Sequence, residues 1–130
     1  MIENLDPRQA WDLLQQHTNA VLIDVRTKAE HTDIGHPIGA IHIAWQENFG
    51  SPVNPHFIAE VSKIVPDQST PVLLLCRSGQ RSLSAAKALE QVGYQTLINI
   101  VDGFEGALDQ NQQRGNINGW RFHGLPWQQD

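Results

Sequence analysis

Val72-Leu73-Leu74-Leu75-Cys76-Arg77-Ser78-Gly79-Gln80-Arg81-Ser82 passes from four consecutive apolar residues into a polar loop and on toward a helical pattern. An apolar run without alternation predicts a strand buried on both faces, as in a parallel sheet. A helix is predicted from about Ser82 to Val92, with Gly93 as the residue that ends it. Thr96 to Val101 reads as the next strand. Upstream, Ala20 to Val25 is a second short apolar run and Ile41 to Ala44 a weaker third. Two further helices complete the rhythm. Asp6-Pro7-Arg8-Gln9 carries an N-cap, a first-turn proline and a capping-box partner, so Ala10, Leu13 and Leu14 face the core. Asn54-Pro55 starts the other, with Ile58, Val61, Ile64 and Val65 on one face. The tail from Gly103, rich in Gly, Asn and Gln, is expected to wrap the domain with a short helix and loops.

Strand and helix alternating in this way imply an α/β fold, a central parallel sheet with helices on both faces. No repeat, linker or low-complexity segment divides residues 1–130, which read as one domain of a size that buries a core without disulfides. The net charge of −5 excludes a general nucleic-acid binder, because phosphate affinity needs clustered Lys and Arg. The one cysteine excludes an internal disulfide and any multi-cysteine metal site. The acidic N-terminus lacks a secretory h-region and no apolar run is long enough to span a membrane, so a cytoplasmic protein is expected.

In a parallel α/β sheet, ligands bind beyond the carboxyl ends of the strands. That rule selects the segment after Leu75. A tight loop from Cys76 to Arg81 can turn successive N–H groups inward as an anion nest. The following helix N-terminus adds its free donors and dipole. Gly79 supplies backbone freedom, and Arg77 and Arg81 supply positive charge, with Ser78 and Gln80 completing the loop. A thiol at the base of such a loop is favoured as thiolate, the nucleophilic form. A lone cysteine is more often a buried structural thiol. Two arginines and a glycine beside it at the end of a central strand tip the balance toward a nucleophile.

With these residues the chain resembles a single rhodanese domain over nearly its whole length. The loop Cys76 to Arg81 is similar to the six-residue active loop of that family. Leu22-Ile23-Asp24-Val25-Arg26 resembles its entry strand, followed by Glu30 and Gly35-His36. Gly39-Ala40-Ile41-His42-Ile43 resembles the stretch written GA-x-N-I. Asp102-Gly103-Phe104, Gly119-Trp120 and Gly124-Leu125-Pro126-Trp127 resemble the closing pattern. The resemblance implies a sulfurtransferase working through a Cys76 persulfide, without metal or organic cofactor. The donor would be thiosulfate or a protein-borne persulfide, and the acceptor cyanide, a small thiol or a protein thiol. A monomer is expected. Two departures stand out. His36-Pro37-Ile38-Gly39-Ala40 transposes the proline of Gly-His-Ile-Pro-Gly-Ala, and Ser78 stands where thiosulfate-specialised members carry a basic residue, which implies weak thiosulfate use.

Asp24, Arg26 and Glu30 are supporting candidates. Arg26 is a candidate for binding an anionic substrate, or else joins Asp24 and Glu30 in a charge network that fixes the loops. His31, His36, His42, His56 and His123 lack metal-ligand spacing. Trp45 is a candidate for the pocket mouth. Two other functions compete. A phosphatase or arsenate-type enzyme would need an arginine six residues after the cysteine, where Ser82 stands. A noncatalytic, regulatory or partner-specific sulfur-carrier module has the same fold, though a noncatalytic one would not need Cys76 with both arginines.

Overall fold

Asp6 begins the first helix through a reciprocal pair of hydrogen bonds. The Gln9 N–H donates to its carboxylate at 2.8 Å, and its own N–H donates to the Gln9 side-chain oxygen at 3.0 Å. Pro7 occupies the first turn, where its missing N–H costs nothing. The structure is a computed structural model that describes residues 2–129. Among the described residues three α-helices follow in order, α1 (Pro7–Gln16), α2 (Phe57–Ile64) and α3 (Gln80–Gln91), with a π-helix at Glu30–Ile34 between the first two. The strands are β1 (Ile2–Leu5), β2 (Val21–Asp24), β3 (His36–Pro37), β4 (Ile41–His42), β5 (Val72–Leu75), β6 (Leu97–Ile100) and β7 (Trp127–Gln128).

Five strands form a parallel sheet in the order β1-β6-β5-β2-β4. Strand β5, apolar at all four positions, lies in the middle and is buried on both faces. Phe57 and Val61 of α2 and Ala85, Ala86 and Leu89 of α3 pack with Ile23, Val72 and Leu74 on one face. Ala10 of α1 packs on the other face with Leu22, Leu73, Ile98 and Ile100, joined there by Phe104 and Trp120 from the tail. Burying each of these two tail aromatics contributes roughly 2–3 kcal/mol.

Several elements differ from expectation. Helix α2 starts at Phe57 rather than Asn54, because the Asn54 side chain accepts the His56 N–H (2.9 Å) and its carbonyl accepts the Phe57 N–H (3.1 Å), a turn that precedes the helix. Phe57, Val61 and Val65 make the buried stripe at fourfold spacing, and Ile64 is exposed. Helix α3 starts two residues early, at Gln80. Among the described residues the tail holds turns and strand β7 but no helix. Strand β7 pairs antiparallel with β3, a two-stranded ribbon outside the main sheet. Pro37, the transposed proline, sits in that ribbon opposite Trp127. No helix of the described residues is long and apolar enough to cross a membrane.

Candidate active site

The parallel register brings Asp24 of β2 beside Leu75 of β5, and Leu74 beside Asn99 of β6. The chain leaves β5 at Cys76 and turns into α3 through Gly79, whose φ of +111° is a conformation that favours glycine. This turn aims the Gly79 N–H at Cys76 Sγ, 3.0 Å away. Helix α3 then directs its first turn back at the same sulfur. Ser82 Oγ lies 3.3 Å from Sγ and donates to Asn99 Oδ1 at 2.6 Å. With its proton committed to Asn99, Ser82 accepts from the Cys76 thiol; a rotation of the hydroxyl lets it donate to a sulfur anion instead. Asn99 Nδ2 reaches Asn4 Oδ1 at 3.1 Å and the Gly79 carbonyl at 3.3 Å, so strands β1 and β6 together hold the sulfur's neighbours.

Cys76 is 1% exposed, yet it lines a cavity of 190 Å³. Arg77, Ser78, Gln80 and Arg81 of the loop form one side, and Gln46 and Phe49 form the other. A larger cavity of 490 Å³, bordered by Lys28, His42, His56 and Glu60, contains no nucleophilic thiol. Of these two cavities, only the smaller is lined by the thiol. The structure thus brings together Cys76, Arg77, Ser78, Gln80 and Arg81 around one space, with Gly79 buried behind them.

The arginines are not equivalent. Arg81 forms a two-pronged ion pair with Glu30, at 2.7 and 3.0 Å, across 51 residues of sequence. Burial acts against the Glu30 charge, but the hydrogen bonds and charge of Arg81 and the Thr27 N–H outweigh it and hold the carboxyl below its ordinary value. Arg81 is likewise held above its ordinary value: burial opposes its charge and Glu30 outweighs that, so it stays a cation. Arg77 has no acidic partner among the described ion pairs, and its buried Nε makes no hydrogen bond to the described residues.

Arg26 and Asp24 lie behind the site rather than in it. Both are fully buried. Arg26 meets Asp24 through Nε (2.9 Å) and Nη2 (2.7 Å), donates to the Gly35 carbonyl (2.6 Å) and covers the Phe104 ring at 4.5 Å. The substrate-binding alternative for Arg26 is thereby corrected: its guanidinium is sealed into the core. Asp24 also accepts the Arg26 N–H (3.0 Å) and His31 Nδ1 (2.7 Å). Burial opposes its charge, but the hydrogen bonds from His31 and Arg26 and the Arg26 charge bring its carboxyl down from 3.8 to about 2. The charge network is built on two hydrogen-bonded pairs, Asp24 with Arg26 and Glu30 with Arg81, and the Arg26 charge also acts on Glu30. The histidines stack, His36 on His31 at 3.8 Å and His31 on His42 at 4.7 Å, and His36 Nδ1 donates to the His31 carbonyl. Trp45 is corrected too. It packs edge-on against Phe57 on the core side, and its sequence neighbours Gln46 and Phe49 take the place at the mouth.

Phe49 and Ser82 were not legible as site residues at the outset. Ser82 had a usable signal, since the first turn of a helix after a short loop points back at the loop's start. Phe49 had none, because only the fold brings its loop to the cavity.

A parallel sheet covered on both faces, with a single thiol cradled between its central strand and the next helix, defines an α/β protein built around a loop-held cysteine. The chain belongs to the rhodanese-like domain family, whose model matches residues 6–110. It is 36% identical to an uncharacterized protein of Rickettsia conorii over 98% of each chain. It is 30% identical to the thiosulfate sulfurtransferase GlpE of Actinobacillus succinogenes over 94% of this chain and 86% of that one. Among solved structures it is similar to Rv0390 from M. tuberculosis, with 38% identity, a TM-score of 0.87 and 98% of each chain covered. It is also similar to a polysulfide-sulfur transferase homodimer from Wolinella succinogenes, with 26% identity and a TM-score of 0.69, over 99% of this chain and 80% of that one.

Proposed function

We propose that this protein is a sulfurtransferase in which Cys76 carries the transferred sulfur as a persulfide. The observation that carries this is the environment of Sγ: it accepts the Gly79 N–H at 3.0 Å, neighbours the Ser82 hydroxyl, and faces a 190 Å³ cavity bordered by two arginines. The Cys76 thiolate attacks the sulfane sulfur of a donor. The donor's sulfur–sulfur bond breaks, and its electron pair leaves with sulfite, from thiosulfate, or with a thiolate, from an organic or protein persulfide. The new outer sulfur is an anion, and the inward N–H groups and the unpartnered Arg77 Nε stabilise it. A nucleophilic acceptor, cyanide or a thiolate, then attacks that outer sulfur. The bond from Sγ breaks and the Cys76 thiolate is restored. The named activities of two relatives, a thiosulfate sulfurtransferase and a polysulfide-sulfur transferase, support the same class of chemistry.

Incubation with thiosulfate or an organic persulfide, followed by intact-protein mass spectrometry, is expected to show one added sulfur atom that reductant removes. Cys76→Ser should show neither the adduct nor sulfur transfer to cyanide. Equal transfer by wild type and Cys76→Ser would end this assignment.

A further inference from the structure

Phe49 is 57% exposed, an unusual setting for a large apolar ring. It sits near the tip of a small closed loop. An antiparallel bridge joins Gln46 to Val53, the Gln46 side chain donates to the Ser51 carbonyl at 2.7 Å, and the Asn54 N–H returns to the Trp45 carbonyl at 2.7 Å. The loop is thus tied at its base and carries the ring over the Cys76 cavity. There the ring receives both active-loop cations, with the Arg77 guanidinium carbon 4.9 Å and the Arg81 carbon 4.7 Å from its centroid. A cation over an aromatic face is attracted by the ring quadrupole, and a ring that engages two guanidinium groups restrains both. The Arg81 charge is already matched by Glu30.

We propose that Phe49 is a specificity-determining residue of this pocket. By holding Arg77 and Arg81 against its ring, and by giving the mouth an apolar wall, it favours sulfur donors of low charge with an organic body over small hydrated dianions. The inference rests on Cys76 being the reacting group, as proposed above. A dianion gains from arginines free to turn toward it and gains nothing from the ring. A persulfide on an organic thiol carries less charge and has carbon to lay against Phe49.

The test is the alkylation of Cys76 by neutral iodoacetamide and by anionic iodoacetate, at one pH and ionic strength, in wild type, Phe49→Ala and Phe49→Leu. Leucine fills the mouth but has no quadrupole. The iodoacetate-to-iodoacetamide rate ratio is expected to rise about threefold or more in both variants, the scale of a released cation–π contact. The iodoacetamide rate alone should rise only in Phe49→Ala, where the mouth opens. A general loosening of the fold would move both reagents together and leave the ratio unchanged. In turnover, Phe49→Ala should gain on thiosulfate and lose on benzyl persulfide, whose organic body is uncharged. A ratio and a donor preference unchanged in both variants, with sulfur still transferred, would overturn the role of Phe49 and leave the sulfurtransferase assignment standing. A shifted ratio with no sulfur transfer from any donor would overturn the assignment and the donor preference with it, leaving to Phe49 only the selection of reagents by charge.

Discussion

Around Cys76 the two arginines divide their work. Arg81 is tied to Glu30 and so contributes little net attraction for an incoming anion, while Arg77 has no acidic partner in the described pairs. Ser78, on the same side of the cavity, is polar and uncharged. A thiosulfate dianion approaching a thiolate meets repulsion that this arrangement only partly offsets. Weak thiosulfate turnover is therefore expected in the wild type. Ser78→Lys should improve thiosulfate kcat/KM by about fivefold, the equivalent of roughly 1 kcal/mol of attraction at a partly exposed position. Steady-state kinetics with thiosulfate and cyanide at low and moderate salt would check this. The gain should shrink as salt screens the added charge, and an unchanged rate at low salt would show that charge at position 78 is not limiting.

At the scale of elements, helix α3 both ends the Cys76–Arg81 loop and points its first turn at the sulfur. Its start depends on Gly79. An alanine Cβ there would meet only ordinary contacts, the nearest being Val101 Cα at 3.5 Å, so the cost of Gly79→Ala is the backbone conformation rather than a clash. Holding a non-glycine residue at that φ costs about 1–2 kcal/mol. If the chain relaxes, the N–H swings away from Sγ. The variant should lose about 1–2 kcal/mol in urea unfolding with an unchanged m-value, and Cys76 should alkylate more slowly with iodoacetamide. Full stability and full reactivity together would mean that the positive φ is not what holds the sulfur. Local signals identified this helix, the Asp6–Gln9 capping box and strand β5, since each depends on residues within a turn or two. They placed α2 three residues early because Asn54 can cap a turn as readily as a helix, and only packing makes Phe57 rather than Ile64 the buried position.

At the scale of the molecule, two ties matter, one at the end of β2 and one behind the loop. The tail closes on it directly: the Phe104 N–H donates to the Cys76 carbonyl at 2.8 Å, and the Glu105 and Gly106 N–H groups donate to the Arg77 carbonyl at 3.1 Å. A side chain at Gly103 would strike the Cys76 carbonyl, so no other residue fits there without moving the loop. The second tie is Asp24, which joins the end of β2 to Arg26 and His31. Its carboxyl lies at about 2 when folded against 3.8 ordinarily, so its stabilisation is complete above the higher value. That stabilisation is lost as pH falls from the higher value toward the lower. Asp24→Asn leaves the Arg26 charge buried without its counterion and should cost about 3 kcal/mol at neutral pH. Urea unfolding between pH 5 and about pH 2 should show the gap between wild type and variant narrowing through that window. A gap that stayed constant would assign the acid sensitivity to other groups.

The alternation of β2, β4, β5 and β6 with the three α-helices, the buried centre of the sheet and the position of the thiol after β5 followed from the sequence by itself, because hydrophobic period, capping and turn chemistry are local. Tertiary structure alone decided which charges are free. Arg81 meets Glu30 and Phe49 crosses to both arginines, and each of these contacts joins segments that nothing local relates. The short pairings of β1 with β6 and of β3 with β7 were settled the same way. β1 carries Glu3 and Asn4 at its centre and β3 and β7 are two residues each, so none shows an apolar run like that of β5, and they form because the rest of the fold delivers a partner edge to each.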